Sequence, residues 1–256
     1  MRSTAHKDRF RRQPKQHHWY KDDLAWLHSR YYADFISHAG PQAIRMLRQA
    51  GIRKGIVCDA GCGGGQLSAL LLQAGYQVIA VDASAAMIAL TRKHAPRASV
   101  ICGSIAQVGL PACAAVLAVG EVFNYLGSPR KISRAFRNIF GSLAPGGILI
   151  FDIKEPPRRK IVRMSCRARP GWALIARIQE DPRRRQLIRT IDTFRKTGSL
   201  YRRQREVHTL GVYSTVEIKR LLRKAGFRVR SRKGYGSYEL GPQRKVLVAR
   251  KEATAR

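Results

Sequence analysis

Acidic residues are scarce in this sequence: 16 Asp and Glu stand against 49 Lys and Arg, a formal net charge of +33. A chain this basic is drawn to polyanions, and nonspecific, salt-dependent adhesion to nucleic acid is expected without any dedicated site. Arginine is spread through the whole length, so a solvated basic surface accounts for the charge as well. Cysteine is sparse too. Its five copies, Cys58, Cys62, Cys102, Cys113 and Cys166, are scattered with no CxxC pair. That pattern argues against a zinc site and against a disulfide framework. No stretch approaches the ~20 apolar residues of a membrane span. Residues 1–18, MRSTAHKDRFRRQPKQHH, are basic, but no apolar run follows them. They read as a disordered tail and not as a secretory signal. Reduced thiols and the lack of an export signal suit a cytoplasmic protein.

What is present is a regular alternation. Residues 22–50 read as helices, with Leu24, Leu27, Tyr31 and Phe35 at helical spacing, and with Ile44 and Leu47 resuming after Gly40-Pro41. From residue 56, short apolar runs alternate with amphipathic segments. Strands are expected at 56–59, 77–82, 99–102, 112–119 and 148–152. Apolar strands separated by helices imply a parallel sheet covered on both faces. The period then changes. Three strand-like runs, 172–179, 187–194 and 201–212, read as an antiparallel meander, with the basic stretch 157–169 as a loop before it. Ser214 and Glu217 form a capping-box pair that opens another helix, and two strands close the chain. The expected organisation is one domain over 19–256. It comprises a helical cap (19–54), a ligand-binding core (55–153), an antiparallel lid (154–213) and a C-terminal helix with the last strands (214–256).

The first strand runs into Asp59-Ala60-Gly61-Cys62-Gly63-Gly64-Gly65. A strand that ends in glycines and feeds a helix presents backbone N–H groups with no Cβ in the way. The dinucleotide fingerprint would read G-x-G-x-x-G. Here the spacing is Gly61-x-Gly63-x-Gly65, and Asp59 would repel a pyrophosphate but suit an ammonium group. Asp82, at the end of the second strand, lies close to the ~20-residue separation of a ribose-binding carboxylate.

VCDAGCGGG, VIAVDAS, GSIAQVGLP, GEVFNYL and LAPGGILIFDI, in that order, resemble the five motifs of the class I S-adenosylmethionine-dependent methyltransferases. The resemblance covers about residues 55–153, and Arg223-Lys224-Ala225-Gly226-Phe227 with the last strands extends it to about 250. It implies a doubly wound α/β fold with a mostly parallel, seven-stranded Rossmann-like sheet whose last strand is antiparallel. In this chain, N-terminal helices and an antiparallel β insertion would be added. The implied cofactor is S-adenosylmethionine. Gly61, Gly63 and Gly65 would line its methionine part, Asp59 its ammonium, and Asp82 with Ala83 its ribose. Ser104 and Ile105 would lie at the adenine, and Gly120 near the methionine end. Ser104 departs from the family, which usually places an acid there.

The segment Gly120–Tyr125 lacks the Asn/Asp-Pro-Pro-Tyr/Phe signature of enzymes acting on exocyclic amines of bases or on glutamine. The lid resembles that of the small-molecule branch, where E-x-H precedes Tyr-Ser; here these are Glu206-Val207-His208 and Tyr213-Ser214. Glu206 and His208 share one side of their strand. His208 is the first candidate for a general base, with Glu121 and Tyr125 as alternatives. Tyr20, Trp26, His28, Tyr31 and Tyr32 are candidates to cap the cofactor from the N-terminal helices. The expected activity is N- or O-methylation of a small molecule, with no metal. An RNA methyltransferase, or a binding protein without catalysis, are the alternatives.

Overall fold

The computed structural model describes residues 19–253; the expected tail at 1–18 lies outside the described residues. Helix α1 (Asp22–Tyr31) and helix α2 (Ala33–Gln49) lead into the core. There, β1 (Ile56–Ala60), α3 (Gln66–Gln73), β2 (Gln77–Asp82), α4 (Ala85–His94), β3 (Ser99–Cys102) and β4 (Cys113–Ala118) follow in turn. A 3-10 turn (Val122–Leu126), α5 (Pro129–Ser142) and β5 (Leu143–Lys154) complete the first half.

The lid consists of β6 (Ile161–Arg169), β7 (Trp172–Asp181), β8 (Gln186–Thr197) and β9 (Leu200–Gly211). Then come α6 (Thr215–Lys224), β10 (Arg228–Arg232), β11 (Gly234–Tyr235), β12 (Tyr238–Glu239) and β13 (Arg244–Arg250). No described helix is long and apolar enough to cross a membrane.

Seven strands form the main sheet in the order β10-β13-β5-β4-β1-β2-β3. The pairs β1–β2, β1–β4, β2–β3 and β4–β5 are parallel, and β13 is antiparallel to both its neighbours. The chain therefore moves outward from β1 to β3 and resumes on the other side of β1 with β4. In open α/β sheets, ligands bind beyond the strand ends where the order reverses in this way. One apolar layer packs α5 and α6 on one face of the sheet through Phe123, Phe136, Ile139, Phe151 and Leu222. The other packs α2 and α3 through Leu47, Leu67 and Leu71. The central strands are buried on both faces, which explains their continuous apolar runs.

Two local expectations are corrected. Pro41 does not interrupt the second helix; α2 runs through Gly40-Pro41 without a break. Gly40 has a packing reason to be there, since a Cβ on it would come within 2.7 Å of Leu70 of α3. Pro41 forfeits one backbone bond within a helix whose buried face, including Ile36, Ala39, Ala43 and Leu47, packs on the core. The basic stretch 157–169 is not all loop. Its second part is β6, paired along its length with β7, so the meander has four strands. Apolar Val162, Met164, Cys166 and Ala168 alternate there with Arg163, Ser165, Arg167 and Arg169. The high charge concealed that period of two, and charged residues suit an edge strand. The two-residue ladder β11–β12 was also not expected.

Candidate active site

The glycine turn joins β1 to α3 at the expected end of the sheet. The amides of Gly61 and Cys62 bond to the Val81 carbonyl at 2.7 and 3.0 Å, which ties the turn to β2. The turn needs glycine at its first position. Gly61 has φ +69°, and a Cβ there would overlap Val122 of the 3-10 turn. Over Gly63, by contrast, a Cβ would meet nothing within 4 Å, so the middle of the turn faces an open cradle.

Asp82 closes one side of that cradle. Its carboxylate accepts the amides of Gly63 at 3.0 Å and Ser84 at 2.8 Å. Burial pushes its pKa up, against these backbone bonds. Asp59 lies beneath the turn. It is buried, accepts from Ser68 Oγ at 2.6 Å, and has its pKa pushed up to about 7, first by burial and then by the charge of Asp82, with the Ser68 bond opposing. Ala83 lies exposed between Asp82 and the cap of α4. Ser104 lies after β3, half-buried, with its hydroxyl turned 3.4 Å from the amide of Ala106, and Ile105 is buried beside it.

Gly120 follows β4, on the far side of β1 from Asp82. Asp152, at the end of β5, accepts the amides of Gly120 (2.6 Å) and Glu121 (3.1 Å) and the hydroxyl of Tyr235 (2.7 Å). This bracket holds two consecutive left-handed residues, Gly120 at φ +104° and Glu121 at φ +63°. A non-glycine residue held there costs on the order of 1–3 kcal/mol. The Tyr32 hydroxyl lies directly against Gly120, where a Cβ would collide with it.

The N-terminal helices cover the turn. Gln66 donates to the Ser29 carbonyl at 2.5 Å, and Ser84 donates to the Tyr20 carbonyl at 2.9 Å. His28 stacks on Tyr32 with ring centres 4.6 Å apart and meets Tyr20 edge-on at 4.8 Å. Burial, then the charges of Arg189 and His208, drive the His28 pKa down to about 3, so the ring is neutral. Of the five capping candidates, Tyr20, His28 and Tyr32 thus lie over the site. Trp26 instead carries Arg30 and Arg195 over its ring. The side chain of Tyr31 lies outside the described residues.

The lid supplies the opposite wall. Its register places Arg189 of β8 across from His208 of β9, on the inward face with Glu206. His208 and Glu206 are both buried. Glu206 Oε2 lies 3.0 Å from His208 Nε2 and accepts the amide of Tyr20 at 2.8 Å, while Oε1 accepts that of Lys21 at 2.9 Å. The other nitrogen, His208 Nδ1, lies 3.3 Å from the Tyr125 hydroxyl, which lies 2.8 Å from that of Tyr20. Glu206, His208, Tyr125 and Tyr20 thus form one hydrogen-bonded chain.

Glu121 has a different setting. Its carboxylate binds Arg189 at 2.6 Å and Arg244 at 2.5 Å. Burial alone would raise its pKa, but Arg189 and Arg244 outweigh it and hold the group below the usual carboxylate range. A carboxylate held ionised in this way is a poor proton acceptor and a good anchor between core, lid and β13. Sequence reasoning missed Arg189, Arg244 and the bracket role of Asp152. The period of two in β8 could have placed Arg189 on the His208 face; the other two depend on long-range pairing.

Residues 57–147 match a family model described as a methyltransferase domain. Over this stretch, about a third of the chain, the sequence is similar to methyltransferase domains. YqeM of Bacillus subtilis (strain 168), whose name assigns methyl transfer only provisionally, is 23% identical over 216 residues, covering 77% of this chain and 84% of that protein. An S-adenosylmethionine-dependent methyltransferase from Clostridium acetobutylicum ATCC 824 superposes with TM-score 0.76 at 16% identity, covering 89% of this chain and 98% of that one. The sugar N-methyltransferase KedS8 from Streptoalloteichus sp ATCC 53650 gives 0.77 at 17%, covering 91% and 94%. At these identities the structural likeness establishes the fold.

Proposed function

We propose that the protein transfers the methyl group of S-adenosylmethionine to a nitrogen or oxygen atom of a small molecule. The observation that carries this reading is the buried aromatic and histidine cluster between the N-terminal helices and the inward face of the lid. Tyr20, His28, Tyr32, Tyr125 and His208 contact one another there, with Arg189 as a fixed cation. Such a set of aromatic faces and convergent polar groups suits a compact acceptor. KedS8, described as acting on a sugar nitrogen, supports an acceptor of that size. RNA methylation would require an open basic groove beside the methionine end, and here that position is packed by Tyr32.

The residues present fit the cofactor. The cradle at Gly63 is one that a Cβ would begin to fill, while Gly61 and Gly65, packed closely against Val122 and Thr91, hold the turn in the shape that would line the methionine part. Asp82 would hold the ribose hydroxyls with the lone pairs its two amide bonds leave free. Ala83 would border the ribose beside Asp82, and Ser104 and Ile105 would flank the adenine. Asp59 would set the charge facing the ammonium, and Gly120 would border the methionine end. When bound, the cofactor supplies a methyl group on positive sulfur, already activated toward displacement.

The protein's task is then alignment and removal of a proton. Glu206 fixes His208 with its proton on Nε2, so that Nδ1 is the accepting atom. Tyr125 donates to Nδ1 and accepts from Tyr20. A proton from the acceptor passes to the Tyr20 oxygen as the Tyr20 proton moves to Tyr125 and that of Tyr125 moves to His208. Arg189, 3.2 Å from the Tyr125 oxygen, offsets negative charge developing there. His208 therefore acts through the tyrosines without touching the acceptor. Trp19 packs edge-on against Tyr125 at 5.0 Å and helps keep water out.

The test is incubation of the purified protein with radiolabelled S-adenosylmethionine and a panel of small amines and alcohols, amino sugars included. Labelled small-molecule product supports the reading. Label confined to RNA in a parallel incubation contradicts it.

A further inference from the structure

The basic surface is not uniform. On the lid, several arginines are engaged with acids: Arg203 and Arg205 hold Asp192, Arg195 and Arg202 hold Asp23, and Arg163 reaches Glu180. Helix α5 is different. Its sequence, PRKISRAFRNIFGS, contains no acid. It buries Ile132, Ala135, Phe136 and Ile139 and exposes Arg130, Lys131, Arg134 and Arg137 along the opposite side. Helix α6 lies beside it on the same face of the sheet and exposes Arg220 and Arg223. The one acid of α6, Glu217, is engaged by its own capping box and by Arg185. Among the described residues, none of these six cations forms an ion pair with a carboxylate.

Two further features give this face a direction. Helix α5 opens with Arg130 and Lys131 in its first turn and no acidic residue there. Cations at that end oppose the helix dipole, so fold stability alone does not favour them, whereas a bound anion would reverse the sign. The face also lacks what a protein partner would grip. No large apolar side chain of α5 is exposed, and α6 offers only Val216. A one-sign field rich in arginine, whose planar fork matches phosphate oxygens, is complementary to a phosphodiester backbone.

We propose that the α5–α6 face is a docking surface for the phosphate backbone of nucleic acid, centred on Arg130, Lys131, Arg134 and Arg137. Binding there is independent of sequence and of which small molecule is methylated. Because α5 starts just after the 3-10 turn that follows Gly120-Glu121, the surface begins beside the active site and leads away from it. Docking holds the enzyme on nucleic acid and leaves the inward face of the lid free for its acceptor.

The experiment uses the full chain and a short fluorescein-labelled DNA duplex, read by anisotropy across a salt series. It compares wild type with two triple reversals of equal charge change: Arg130→Glu/Arg134→Glu/Arg137→Glu on α5, and Arg45→Glu/Arg48→Glu/Arg53→Glu on and after α2. The α5 variant is expected to lose at least about tenfold in affinity. The slope of log affinity on log salt is expected to fall by about 2–3, since each lost phosphate contact removes about 0.9. The α2 variant is expected to keep the wild-type slope. Retained S-adenosylhomocysteine binding and an unchanged circular dichroism spectrum establish that each variant is folded. Equal weakening by both reversals, or none by the α5 reversal, overturns the proposal. So does poly-glutamate binding as tightly as the duplex at matched salt, which would assign the face to an acidic protein. Failure of the small-molecule assay does not bear on these readings.

Discussion

The hydroxyls of Tyr20 and Tyr125 lie 2.8 Å apart, joining the N-terminal cap to the 3-10 turn after β4. Neither tyrosine is its own proton sink. Burial, before any other cause, raises the pKa of both, so each hydroxyl is protonated at neutral pH and needs an acceptor beyond it. In the proposed mechanism His208 is that acceptor.

Removing a link should therefore slow turnover without loosening the donor. Tyr125→Phe and His208→Ala are each expected to lower kcat by about 10²–10⁴-fold, the usual worth of positioned proton transfer. Affinity for S-adenosylhomocysteine should change little. His208→Gln, which restores an accepting oxygen but no base, should not recover the rate. Single-turnover kinetics with matched calorimetry checks this; unchanged rates would remove the chain of residues from the mechanism.

Asp59 predicts a pH dependence for donor binding. Its folded pKa, about 7, lies above the ordinary carboxylate value, so below that pH the free protein carries it protonated and uncharged. A cationic ammonium favours the ionised form. Affinity for S-adenosylhomocysteine should thus rise between about pH 6 and 8, with net proton release in that window. The same shift disfavours the unliganded fold as pH rises, because the buried carboxyl must ionise. Asp59→Asn should flatten the binding profile. A wild-type profile that falls across this window would contradict the assignment.

Much of this was legible in the sequence because it is local. The glycine turn, Asp82, the order of strands and helices, and the shared face of Glu206 and His208 follow from spacing and period. What was not legible depends on distant partners. Gly40-Pro41 reads as a break until Leu70 is packed against it. The alternation of β6 is hidden by its arginines, and its strand character comes from β7. Glu121 looks like any acid after a strand, and only the approach of Arg189 and Arg244 separates an anchor from a base.

That distinction is testable. Glu121→Gln keeps the shape but leaves two arginines facing a neutral amide. Breaking a buried pair costs ~3–5 kcal/mol, and the lower end applies here because the Arg244 side chain is 34% exposed. Denaturant unfolding should show that loss, with donor affinity falling only in proportion to the unfolded fraction. Full stability with turnover abolished would instead make Glu121 the base.

The central claim is that the Gly61–Gly65 turn and Asp82 form the S-adenosylmethionine site. It is tested most directly by calorimetric titration of the wild type and of Asp82→Ala with S-adenosylhomocysteine. The account predicts binding in the micromolar range or tighter, weakened at least about tenfold in the variant, as expected when a charged hydrogen-bond acceptor worth about 1.5–3 kcal/mol is lost. No binding by the folded wild type, or equal binding by both proteins, would contradict it.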